Sequence, residues 1–103
     1  MSKNIENLNW LSLKEVKQRR KMLKSHIDEY TDYIEDYQQM CEAKRRNAEL
    51  REDIRKVDII IKELEDVLTE LDKRNIVGAT VRYAKGNIQL IWNGRTLYRK
   101  VKF

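Results

Sequence analysis

Ile88-Gln89-Leu90-Ile91-Trp92-Asn93-Gly94-Arg95-Thr96-Leu97-Tyr98-Arg99-Lys100 is the stretch on which the fold turns. Asn93-Gly94 signals a two-residue hairpin loop, because both central residues of a type I′ turn need positive φ. The residues on either side alternate with a period of two, as a strand with one buried face requires. A two-residue loop also fixes the register, with Trp92 opposite Arg95, Leu90 opposite Leu97 and Gln89 opposite Tyr98. Upstream, Val77, Ala79, Val81 and Tyr83 alternate with Gly78, Thr80 and Arg82, and Lys85-Gly86 supplies a second turn. The pattern predicts a three-stranded antiparallel β-meander over residues 75–103. One face collects Val81, Tyr83, Ile88, Leu90, Trp92, Leu97, Val101 and Phe103 and is the core side. The other carries Thr80, Arg82, Gln89, Ile91, Thr96, Tyr98, Lys100 and Lys102. So small a sheet needs its apolar side covered, and only the preceding residues can cover it.

Those residues read as helix. Ser12-Leu13-Lys14-Glu15 fits a capping box, with Leu11 and Val16 placed to form a hydrophobic staple. Leu13, Val16, Arg20, Leu23, Ile27, Tyr30, Ile34, Tyr37 and Cys41 then follow at alternating spacings of three and four, a heptad seam. A second seam, Leu50, Ile54, Val57, Ile61, Leu64, Leu68 and Leu71, is out of phase with the first by one residue. Lys44-Arg45-Arg46-Asn47 lies between them and resembles a helix end, with Asn47 suited to a left-handed cap. The expectation is an antiparallel helical hairpin of about 13–45 and 48–73, a single rod of ~90 Å being the alternative. The fold class is therefore α+β: an N-terminal arm at 1–12, a long coiled-coil-like helical hairpin at 13–74 and a basic sheet at 75–103. Ile54, Val57, Ile60, Ile61, Leu64, Val67 and Leu68 form a stripe wider than a two-helix seam needs, which predicts self-association, as a homodimer. Tyr30, Tyr33 and Tyr37, at helical spacing, are expected to pack in the core, and Cys41 to be a small buried hydrophobe.

Composition narrows the function. Of 103 residues 38% are charged, there is no proline, and the three glycines all fall in the last 26 residues, so tight turns belong there. A single cysteine excludes an internal disulfide. No apolar run reaches signal-peptide or membrane-spanning length, so the expected location is cytoplasmic, with no membrane partner. Catalysis has little to work with: one histidine, no Gly-rich phosphate loop and no metal-ligand spacing. His26 and Glu29 read as a surface pair. The expectation is a protein that is not an enzyme and that holds neither cofactor nor metal.

The net charge of +5 hides a division. Residues 73–103 contain Lys73, Arg74, Arg82, Lys85, Arg95, Arg99, Lys100 and Lys102 and no acid, whereas the first 72 sum to −3. A solvated surface usually mixes signs, so an acid-free sheet points to an anionic partner. Nucleic acid, DNA or RNA, is the leading one: cations release counterions from phosphates, and an aromatic side chain can stack on a base. Arg82, Lys85, Arg95, Tyr98, Lys100 and Lys102 are the expected contacts. The rival partner is an acidic protein surface, which would make the chain a small inhibitor of a host enzyme or complex, of the kind that phages and other mobile elements encode against host defence. Val81-Arg82-Tyr83, Lys85-Gly86-Asn87, Trp92-Asn93-Gly94-Arg95 and Tyr98-Arg99-Lys100 together resemble the three-stranded DNA-reading sheets of phage integrase arm-binding domains. There a helix follows the sheet, whereas here the helices precede it. The layout of a helical oligomerisation region before a small basic domain also resembles bacterial nucleoid-structuring proteins. Both resemblances imply DNA binding.

Overall fold

The computed structural model describes residues 8–103, so most of the expected N-terminal arm, residues 1–7, lies outside the described residues. Helix α1 spans Leu13–Ser25, α2 spans Tyr37–Lys73, and strands β1 (Thr80–Ala84), β2 (Asn87–Trp92) and β3 (Arg95–Lys100) follow. The chain is α+β, and the sheet is antiparallel in the order β1-β2-β3.

The capping box forms at the start of α1. Ser12 Oγ accepts from the Glu15 backbone N–H at 3.2 Å, and the Glu15 carboxylate accepts from the Ser12 N–H at 3.1 Å. Those two Ser12 contacts hold the Glu15 carboxyl below its ordinary value of 4.5. The chain then departs from the expected helices of about 13–45 and 48–73. α1 stops at Ser25, and α2 runs unbroken through residues 46–48. The connection is residues 26–36, which include a 3-10 turn at Thr31–Tyr33.

Two asparagines explain the difference. Asn47 is not a cap: it lies inside α2, 4% exposed, where a polar side chain needs partners. Its Oδ1 accepts from the Asp28 backbone N–H at 3.0 Å, and its Nδ2 donates to the Asp28 carbonyl at 2.7 Å. One amide thus pins the connection to α2. The asparagine that caps α2 in the left-handed region is Asn75, φ 56°. Its N–H bonds the Asp72 carbonyl and that of Ile76 bonds the Leu71 carbonyl, which together make a Schellman stop. Asp36 starts α2 by accepting from the Gln39 N–H at 3.1 Å.

α1 runs back along α2, tied by the ion pairs Lys17–Glu65 and Arg20–Asp58, with Lys44–Asp32 further along in the connection. Both helices and the sheet share one core of Val16, Val57, Ile60, Leu64, Val81, Ile88 and Val101. Leu64 is fully buried and Val16 nearly so. Of the first seam, Leu23, Ile27 and Ile34 stay half-buried, but the aromatic and cysteine positions do not. Tyr30, Tyr33 and Tyr37 are 69%, 80% and 74% exposed, and Cys41 is exposed too. Both departures have the same cause: the heptad reading assumed a helix through residues 26–36, and there is none.

Both hairpin turns take the expected form. Lys85-Gly86 and Asn93-Gly94 have positive φ at both positions, 43° and 82°, then 51° and 74°. The register is the one the Asn-Gly loop dictates: Trp92 opposite Arg95, Leu90 opposite Leu97, Gln89 opposite Tyr98. No helix among the described residues is long and apolar enough to cross a membrane.

Candidate nucleic-acid interface

Directly opposed residues in an antiparallel sheet share a face. The register therefore places Arg82, Ala84, Asn87, Gln89, Ile91, Thr96, Tyr98 and Lys100 on the face away from the helices. Lys102 is exposed and lies past the end of β3, beyond the paired residues. Val81, Tyr83, Ile88, Leu90, Trp92, Leu97 and Arg99 stand on the helix side, and so does Arg95, the partner of Trp92.

The six expected contacts are thus not all brought together. Arg82, Tyr98 and Lys100 share the outer face, and Lys102 lies just beyond the end of β3. Lys85 sits in the β1–β2 turn at one end. Arg95 belongs to the other side. Among the described residues none of Arg82, Lys85, Arg95, Lys100 and Lys102 forms an ion pair. Arg99, by contrast, donates to Glu63 on α2 at 2.9 Å.

The outer face has a cover that sequence reasoning missed. Gln89 is 5% exposed and Ala84 3%, although no helix lies on that side. The cover comes from the arm. Leu11 forms an antiparallel bridge with Tyr83 along the free edge of β1, with N–H···O distances of 2.7 and 2.8 Å in the two directions. Alternation then turns Trp10 onto the outer face while Leu11 joins the core. The Trp10 ring centroid lies 5.8 Å from that of Tyr98 on β3, inclined by 34°. On that face Ala84 of β1 and Gln89 of β2 lie between the β1 edge and Tyr98 of β3. Gln89 keeps a partner: its Oε1 accepts from Arg82 Nε and Nη2 at 3.1 and 2.8 Å. The sequence signal was the apolar pair Trp10-Leu11 just before the Ser12 cap, which reads as a short strand with two useful faces.

The outer face thus presents a tilted Trp10–Tyr98 pair, with Tyr98 40% exposed, flanked by the Arg82 guanidinium and, at one end, by Lys100 and Lys102. Cations hold phosphates and an exposed ring holds a base, which is chemistry that needs no catalyst.

The residues expected to mediate self-association divide differently. Val57, Ile60 and Leu64 are buried in the chain's own core. Ile54, Ile61 and Val67 are half-buried on the flanks, and Leu68 is 38% exposed. The stripe is wide because α2 serves two neighbours at once, α1 on one flank and the sheet on the other.

No protein-family model matches the chain, and neither curated proteins nor solved structures include one significantly similar to it.

Proposed function

We propose that this chain is a non-enzymatic nucleic-acid-binding protein that acts as an assembly of more than one copy, with the outer face of its sheet as the binding surface. The observation that carries the reading is the 40%-exposed Tyr98 ring, backed by a half-buried Trp10, set among cations without ion-pair partners among the described residues, on a sheet that contains no acid. Lys100, Lys102 and Arg82 neutralise phosphates and release counterions, which gives affinity without base preference. Tyr98, backed by Trp10, offers its ring to an unstacked base, as aromatic platforms in single-strand binders do. The raised ring pair favours a single strand over a duplex, because paired bases keep their faces inside the stack.

The test is a fluorescence-anisotropy titration at several salt concentrations with single-stranded and duplex probes. Each phosphate-bound cation contributes about 0.7–0.9 to the slope of log affinity against log salt. Replacing Arg82, Lys100 and Lys102 together by Gln should flatten the slope by roughly two units. Tyr98→Ala should weaken single-strand binding by about 1–3 kcal/mol and duplex binding far less. A wild-type protein that binds neither probe at low salt refutes the reading. The same cations would then be assigned to an acidic protein surface, as in a small inhibitor.

A further inference from the structure

Trp10 is the one side chain among the described residues with a polar atom shut away from water and no partner for it. Its Nε1 is buried and donates to nothing. A donor left in this state is costly, and folded proteins keep few of them. Trp92 shows the usual outcome for an indole: its Nε1 donates to the Val77 carbonyl at 3.2 Å.

The neighbours of Trp10 account for the mismatch. Arg82, Gln89 and Tyr98 form one row across the three strands. Within it, Arg82 already claims the Gln89 Oε1 with two of its N–H groups. What the row still offers is chiefly guanidinium and amide N–H groups, and an indole can only donate. Its ring suits Tyr98, with centroids 5.8 Å apart, but its polar edge finds nothing to bond. A nucleobase has the same flat shape and also carries acceptors on its edge.

The backbone of Trp10 does not hold it in place either. Leu11 is fixed by its isolated bridge to Tyr83 and by the core, and Ser12 by the capping box. Trp10 itself makes no backbone–backbone hydrogen bond among the described residues. The arm therefore has a fixed point at Leu11, about which Trp10 can turn without breaking the bridge.

We infer that Trp10 is a displaceable placeholder, and that an unstacked base of a single strand takes the indole's place against Tyr98, with its acceptors turned to Arg82 and Gln89. The open part of the Tyr98 ring gives the base its first contact. The indole then moves out to water, where its N–H is satisfied. Until a strand binds, the indole keeps the face around Ala84 and Gln89 covered, and every strand must compete with it. The inference rests on the nucleic-acid reading of the outer face and adds what the bound base displaces.

Tryptophan fluorescence tests it, because the chain has two tryptophans, Trp10 and Trp92. In the Trp92→Phe protein Trp10 reports alone. Adding single-stranded oligothymidine should shift its emission to the red and make it more accessible to acrylamide. An indole that stayed and stacked on a base would instead be quenched and shielded. Trp10→Ala should bind the same probe more tightly. A cover open about a tenth of the time weakens apparent affinity about tenfold, and the variant removes that penalty. Circular dichroism checks each fold. If Trp92→Phe unfolds, 5-fluorotryptophan NMR with both tryptophans kept replaces the fluorescence; if Trp10→Ala unfolds, the Trp10 signal decides alone. A Trp10 signal that stays unchanged or becomes shielded on binding overturns the inference and leaves the nucleic-acid reading standing. So does a folded Trp10→Ala protein that binds no more tightly than the wild type. Failure of both proteins to bind at low salt overturns the inference and the nucleic-acid reading together.

Discussion

Asn47→Ala is the substitution whose sign tests the helix connection. In the interior of α2 alanine is a better helix residue than asparagine, by about 0.6 kcal/mol. If Asn47 did nothing but occupy the helix, the variant would be more stable by that amount. In the structure its buried amide makes two hydrogen bonds to the Asp28 backbone, each worth about 1 kcal/mol net. Losing ~2 and regaining ~0.6 leaves the variant less stable by roughly 1.4 kcal/mol. A chain of this length has an unfolding entropy of about 0.2 kcal/mol/K, so Tm should fall by roughly 6–7 °C. Asn47→Asp keeps the acceptor but sets a carboxylate against the Asp28 carbonyl and should cost at least as much. Thermal denaturation followed by circular dichroism gives the sign, and amide hydrogen exchange at Asp28 shows whether the loss is local. An unchanged or higher Tm for Asn47→Ala would mean that the clamp contributes nothing and that residues 26–36 are held by other contacts.

The continuity of α2 makes a two-glycine insertion after Asn47 expensive. It adds about 2 kcal/mol of helix propensity cost and rotates Ala43 and Asn47 out of line with Val57 and Leu64, so a Tm loss beyond about 10 °C is expected. A loss of only a degree or two would indicate a turn at that point. The faces of the sheet predict unequal effects of two exposed cations in the anisotropy assay. Lys100→Gln should reduce the single-strand salt slope by about 0.7, and Arg95→Gln, on the helix side, should leave it unchanged. Equal effects would mean that the ligand does not select the outer face. Ser12→Ala should cost about 1 kcal/mol by removing the α1 cap. The Glu15 carboxyl is lowered by Ser12, so its contribution is present above the ordinary carboxylate value of 4.5 and is lost as pH falls below it. The stability difference between wild type and Ser12→Ala should therefore shrink in acid, as an acid titration of both Tm values would show.

How far the sequence was legible depended on whether a signal was local. The hairpin register was readable because Asn93-Gly94 admits one turn geometry, and the Ser12–Glu15 box because its groups lie three residues apart. The helix connection was misread because its determinant is a long-range bond. The second seam continues upstream through Asn47, Ala43 and Met40 without a break in spacing. A polar and a small residue at seam positions resemble an interruption, and only the fold shows that the two are there to admit Asp28 and Thr31. One local sign did favour the true connection: Asp36-Tyr37-Gln38-Gln39 has the spacing of a capping box, and five acids near a helix C-terminus would oppose its dipole. For the candidate site, the register already placed Arg95 with Trp92 on the helix side. The Trp10 cover depends on the Leu11–Tyr83 bridge, which joins residues 72 positions apart and has no local signature beyond an aromatic residue beside the cap.

The basic character of the last third of the chain can now be divided by use. Arg99 is occupied by Glu63 and Arg74 by Glu70. Lys73 lies in the last turn of α2, where a cation suits the helix dipole. Lys85 occupies a turn, and Arg95 starts the edge strand β3, where cations discourage edge-to-edge pairing. That leaves Lys100 and Lys102, which have no ion-pair partner among the described residues, and Arg82, whose guanidinium also holds the buried Gln89 amide oxygen. On the proposed reading, three cations and one aromatic platform would make a weak and salt-sensitive ligand site, because non-specific affinity grows with the number of phosphates neutralised. A chain with so few contacts gains most from being linked to its own copies, since each further site on the same strand then binds at a high effective concentration.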